Sequence, residues 1–160
     1  LPIARICGRS YPSRPPVNSW RSHCISGRLG TPRVTGERLR TVLVVDDSVT
    51  MRRMIKAALR PLEVDIAEAG SGLEAIERLS VAPVDAVILD LNMPDMHGLE
   101  VLAFIRAHQT LRPIPVAVLT TRGDEESRSP AASAGASAYF TKPFQGSSLA
   151  PAIAQLMERV

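Results

Sequence analysis

Thr41-Val42-Leu43-Val44-Val45-Asp46-Asp47, an apolar run that breaks off at two acids, is the stretch on which the fold turns. Five apolar or β-branched residues without alternation read as a strand buried on both faces, as in a parallel sheet covered by helices. The same design recurs downstream. Residues 86–89 (Ala-Val-Ile-Leu) run into Asp90, residues 114–119 into Thr120-Thr121, and residues 137–140 into Thr141-Lys142. Residues 64–68 alternate apolar and polar, as a half-exposed edge strand would.

Amphipathic segments fill the gaps. Residues 49–60 read as a helix with Met51, Met54, Ile55, Ala58 and Leu59 on one face, Ser48 as its cap and Pro61 as its stop. Residues 72–80 follow with Leu73, Ile76 and Leu79 facing in, then helices at 99–107 and 149–158. A further helix is expected between Asp124 and Ala134. Pro130 falls inside it, at about 3 kcal/mol or more against a helix interior, and its inner face offers only alanines. That helix is expected to be short and the least stable part of the domain. The alternation of strand and helix predicts an α/β fold with five parallel strands over residues 41–160.

Charge divides the chain in two. Residues 1–40 hold eight arginines and one acid, a net +7, whereas residues 41–160 hold 11 Lys/Arg and 15 Asp/Glu, a net −4. The basic pI of 9.3 therefore reflects the first 40 residues, and direct nucleic-acid binding by the folded part is not expected. Residues 1–40 carry many prolines and serines and no periodicity, so they read as a disordered basic tail. Leu1 opens the chain and no methionine precedes Met51. A translated stretch upstream of the true start is the plainest account of this tail, ahead of a transit peptide or a functional arm. Cys7 and Cys24 form neither a disulfide framework nor a zinc set, which fits a reducing, cytoplasmic setting. No apolar run reaches the roughly 20 residues of a membrane span.

The chemistry lies where polar residues end the strands. In an open α/β sheet, ligands bind beyond the carboxyl ends of the strands, where the strand order reverses. Asp46, Asp47, Asp90, Thr120 and Lys142 all fall there. Taken singly, each has an ordinary explanation: an Asp after a strand is usually a cap or turn former, and a lone Lys is usually solvated. Their recurrence at successive strand ends does not. Two carboxylates about 4 Å apart repel by roughly 4 kcal/mol at an effective dielectric of 20, so three together protonate or recruit a cation. Hard oxygen ligands suit Mg²⁺ with a substrate phosphate. A phosphoryl group in transit needs a metal, an ammonium and a hydroxyl around it, and an Asp can itself accept it.

The stretches Val44-Val45-Asp46-Asp47-Ser48, Leu89-Asp90-Leu91-Asn92-Met93-Pro94-Asp95-Met96-His97-Gly98, Thr120, and Ala134 to Phe144 with Lys142-Pro143 closely resemble the receiver domain of two-component response regulators. The stretch Asp47–Arg53 resembles the single-domain chemotaxis regulators in particular. The resemblance implies a flavodoxin-like, doubly wound sheet of order 2-1-3-4-5. It implies phosphorelay signalling, with Asp90 accepting a phosphoryl group from a sensor histidine kinase. Asp46, Asp47, Asp90 and the Asn92 carbonyl would hold Mg²⁺. Lys142 would pair with Asp90 and then with the phosphoryl oxygens, its bond to Pro143 being cis. Thr120 would turn its hydroxyl to the phosphoryl group, and Tyr139 would move inward to couple the site to a partner surface. Thr121 stands where the family often has Ala or Gly, so it narrows access to the acyl phosphate. Arg122 and Asn92 flank the expected path of water and are expected to set the phosphate's lifetime. Output would be through protein contact, the downstream target being unknown.

Three other readings compete. Gly70-Ser71-Gly72-Leu73-Glu74-Ala75 fits a dinucleotide fingerprint but is better read as a plain strand-to-helix connection. A haloacid-dehalogenase-type phosphatase also gathers Asp, Thr and Lys at strand ends. It wants a general-acid Asp two residues after the nucleophile, where Asn92 stands, and its acidic pair follows the Lys. A degenerate receiver serving only as a docking module would lack part of the set, and nothing required is missing.

Overall fold

The computed structural model describes residues 38–121 and 133–158. Residues 1–37 of the expected tail, Arg122, Pro130 and nearly all of the helix expected between Asp124 and Ala134 lie outside the described residues. The elements run β1 (Thr41–Val45), α1 (Val49–Leu59), β2 (Asp65–Ala69), α2 (Gly72–Val81), β3 (Ala86–Asp90), α3 (Gly98–Ala107), β4 (Val116–Thr121), β5 (Ala138–Lys142) and α4 (Gly146–Glu158). All strand pairings are parallel, and the order is β2-β1-β3-β4-β5, the flavodoxin-like arrangement.

The uninterrupted apolar strands are explained by burial on both faces. Leu43, Val45, Val87, Leu89, Val116 and Val118 pack on the side of α2 and α3. Val42, Val44, Ala86, Ile88, Ala117 and Leu119 pack on the side of α1 and α4. Successive residues thus enter opposite cores, as the period of two requires. β2 is an edge strand and is less buried than the others, running from exposed Asp65 through half-buried Ile66, Ala67 and Glu68 to buried Ala69, without the expected alternation in burial.

Two helix faces differ from the expectation. In α1, Ile55 and Leu59 are buried and Met51 and Ala58 half-buried, but Met54 is 49% exposed. In α2 the buried residues are Gly72, Ala75 and Leu79, while Leu73 is 59% exposed. Leu79 is buried and Ile76 half-buried, as expected, and small Ala75 takes the inward position expected of Leu73. β4 begins at Val116 and not at residue 114, because the Ile114 N–H is committed to the Leu111 carbonyl at 2.9 Å in the preceding turn.

The helix starts are fixed by side chains. Ser48 accepts the Met51 N–H at 3.3 Å and caps α1. Ser71 accepts the Glu74 N–H at 3.2 Å, while the Glu74 carboxylate accepts the Gly70 N–H at 2.7 Å. This reciprocal capping satisfies donors that a dinucleotide pyrophosphate would need, and it disposes of the fingerprint reading. Gly98 starts α3 pressed on the end of β3: a Cβ there would overlap the Asp90 carbonyl oxygen and lie 2.8 Å from the Leu91 Cα. Any larger residue would push α3 away from Asp90.

Candidate functional site

β1 and β3 lie side by side, yet the chain leaves β1 outward to β2 and returns across the sheet to β3, so a crevice opens beyond their carboxyl ends. Asp46 and Asp47 follow β1, Asp90 is the last residue of β3, and Lys142 is the last of β5. The Lys142 ammonium lies 2.8 Å from Asp46 Oδ2 and 2.7 Å from Asp90 Oδ2, bridging both carboxylates. Asp46 and Asp90 are buried, and the Lys142 side chain is only 13% exposed. Asp47 is exposed, but one oxygen each of Asp46, Asp47 and Asp90 lie within 4.8 Å of one another. Strand alternation explains the convergence. Asp90 pairs with Leu119 and Lys142 with Thr121, which places both on the α1/α4 side of the sheet.

Three carboxylates face one ammonium, an excess of two negative charges. Burial raises the Asp90 pKa above the ordinary carboxylate value, and nearby Asp46 adds to this against the opposing Lys142 and the Asn92 N–H. Burial would lower the Lys142 pKa, but its bonds to Asp46 and Asp90 win and hold it above the usual lysine value. The cluster therefore keeps its ammonium and is short of positive charge. Three convergent hard oxygens, one of them solvent-facing, fit a small divalent cation that keeps waters.

The loops around these groups are braced by partners that the sequence reading passed over. Asp46 Oδ1 accepts the Ser48 N–H at 2.9 Å, which aims Oδ2 at Lys142. Arg52 donates to the Asp46 carbonyl at 2.7 Å and the Asp47 carbonyl at 3.4 Å, and its Nε reaches Glu68 at 3.2 Å. Glu68 also meets Lys56 at 3.4 Å. Burial alone would raise the Glu68 pKa, yet these two cations hold it below the ordinary value. Arg52 thus ties the acidic loop to β2. Its position one turn after Ser48, above the acids, was the available signal.

On the other rim, Asp90 Oδ1 accepts the Asn92 N–H at 3.2 Å, and the Asn92 amide donates to Thr121 Oγ1 at 3.2 Å. This bond draws the loop after β3 toward the end of β4. The Lys142–Pro143 peptide bond is cis. Thr120 is 2% exposed and lies beside Leu119, the register partner of Asp90. Tyr139 is the register partner of Val118 and packs against the α2/α3 core. Thr120, two residues beyond Val118, shares that side by alternation, so Thr120 and Tyr139 stand diagonally on one face of β4 and β5.

A profile of the response regulator receiver domain matches residues 42–154. The chain is 38% identical over 120 residues to the chemotaxis protein CheY-3 of Vibrio cholerae serotype O1, covering 74% of this chain and 92% of that protein. It is 38% identical to the chemotaxis protein CheY of Pseudomonas aeruginosa, covering 74% and 97% of the two chains. Among solved structures it resembles the V. cholerae chemotaxis protein CheY4, at TM-score 0.68 and 30% identity over 74% of this chain and 99% of that one. The receiver domain of a signal transduction histidine kinase from Syntrophus aciditrophicus superposes at TM-score 0.71 and 30% identity, over 76% and 92%.

Proposed function

This chain belongs to the response regulator receiver family, whose work is phosphorelay signalling, and from that premise we propose that Asp90 is the residue that takes the phosphoryl group. The observation that carries this reading is the Lys142 ammonium held between two buried carboxylates, 2.7 Å from Asp90. A carboxylate oxygen of Asp90 attacks the phosphorus of the donor as the donor's bond to phosphorus breaks, giving an acyl phosphate. Lys142 moves from the carboxylate it neutralises to the phosphoryl oxygens, and the Thr120 hydroxyl donates to another. Asp46, Asp47, Asp90 and the Asn92 carbonyl would hold Mg²⁺, which when bound supplies the positive charge the cluster lacks. Drawing Thr120 toward the phosphoryl group vacates space beside Tyr139, whose inward movement alters the surface that a protein target reads.

A sensor histidine kinase is the natural donor, in the cytoplasm, and the chain acts on itself and turns over no outside substrate. The phosphatase alternative has no support in the comparisons, and Asn92 offers no general acid for a leaving group. A docking module alone would not need the whole set of Asp46, Asp47, Asp90, Thr120 and Lys142. Among the described residues, no helix is long and apolar enough to cross a membrane. Incubation with acetyl phosphate should add the mass of one phosphoryl group in the presence of Mg²⁺ and none in chelator. No increment in Mg²⁺ would contradict the proposal.

The Asn92–Thr121 bond ties the loop after Asp90 to the end of β4, at the rim of the crevice. Thr121→Ala removes the hydroxyl and opens that side to water. The acyl phosphate of this variant is expected to hydrolyse about 3-fold faster, the equivalent of less than 1 kcal/mol of barrier. An unchanged decay rate, read by loss of the mass increment over time, would show that the bond does not gate water.

A further inference from the structure

A groove of about 470 Å³ runs between α1 and β2, away from the phosphoryl site. Its floor includes half-buried Leu62, Val64 and Ile66, and its rim is formed by Arg53, Lys56 and Arg60. Ile66 is the register partner of Val42, at the start of β1, whereas Asp46 lies past its end. The groove thus sits toward the opposite end of the sheet from the acids. We infer that it is a docking surface for an acidic segment of a partner protein, anchored by apolar side chains on the floor.

Charge decides the occupant. Residues 41–160 carry a net −4, yet three cations gather on this one rim. Arg53 and Arg60 are exposed, and Lys56, 56% exposed, lies 3.4 Å from Glu68. A purely solvated face would not need an apolar floor, and a phosphate backbone would not use one. A segment with glutamates or aspartates beside leucines answers both features. Pockets of this size accept a few side chains, with the polar groups fixing orientation.

The test uses the full chain and a fluorescein-labelled amphipathic peptide of about 15 residues, leucines on one helical face and glutamates elsewhere. Its counterpart carries lysines in place of the glutamates, and a labelled DNA duplex serves as a second anion. The acidic peptide should bind, more weakly as salt rises, and should shift the backbone resonances of Arg53, Lys56, Arg60 and Ile66. Arg53→Glu with Arg60→Glu should weaken binding about tenfold. Phosphoryl uptake by the same variant should be unchanged, which separates this claim from the one about Asp90 and reports that the variant folds. Absent shifts in the groove, equal binding by the double variant, or equal binding by the lysine peptide or the DNA would overturn the inference.

Discussion

Lys142→Met is expected to cost about 3 kcal/mol of stability at neutral pH, most of which a divalent cation restores. The ammonium is the partner of two carboxylates that are themselves almost wholly inaccessible, Asp46 at 0% and Asp90 at 3% exposed. Removing one member of a buried pair leaves uncompensated charge, and that loss runs to about 3–5 kcal/mol. Burial already raises the Asp90 pKa with Lys142 in place, and without it the rise is larger. An acid whose folded pKa lies above its unfolded value destabilises the fold at pH above both and ceases to do so as pH falls below the unfolded value. The deficit should therefore be largest at neutral and alkaline pH and shrink on the acid side. Urea unfolding of both proteins at several pH values, with and without Mg²⁺, measures this. A deficit under about 1 kcal/mol, or one that ignores both pH and Mg²⁺, would mean that Lys142 is no partner of the acids in solution. Phosphoryl uptake should also fall steeply, since the ammonium is one of the few charges facing the transferring group.

Asp90→Asn is expected to abolish phosphoryl uptake while making the protein more stable at neutral pH. The amide has the shape of the carboxylate, and its one oxygen can still accept from Lys142, while its NH2 takes the place of the oxygen that accepted the Asn92 N–H, so one of the two contacts is kept. What disappears is the proposed nucleophile and one buried negative charge. Lys142 then faces Asp46 alone as a neutral pair 2.8 Å apart. Since the Asp90 pKa is raised in the folded protein, the variant's advantage should appear as pH rises through the carboxylate range and vanish below it. Intact mass after acetyl phosphate treatment, with unfolding curves on the same samples, reports both effects. Uptake equal to the parent would place the acceptor elsewhere, and a large loss of stability would mean that the carboxylate was a structural partner first.

Much of this arrangement was legible in the residues. Apolar runs ending in Asp46, Asp90, Thr120 and Lys142 gave both the strands and the end of the sheet where the polar groups gather, because charge is costly inside a strand buried on both faces and collects at its end, where partners can meet it. The strand order came from resemblance, since periodicity does not say which strand sits beside which. The faces of α1 and α2 were read in part wrongly. Leu73 is exposed because the inward face of α2 is taken by small Gly72 and Ala75, and a Cβ on Gly72 would already meet the Met96 side chain. Arg52 was hidden for a different reason. Its acceptors include the backbone carbonyls of Asp46 and Asp47, which carry no sequence signature, so only its place one turn after Ser48 could point to it. The Ser71–Glu74 cap was visible as a spacing of three residues, and it gives the physical reason why the Gly70–Gly72 turn is a plain strand-to-helix connection.

Borohydride reduction of the treated protein, followed by peptide sequencing, asks where the phosphoryl group sits, because reduction turns an aspartyl phosphate into homoserine. Homoserine at position 90, formed only when Mg²⁺ was present, is the expected outcome. Homoserine at position 46 or 47, or a label that survives reduction on a serine, threonine or histidine, would contradict it.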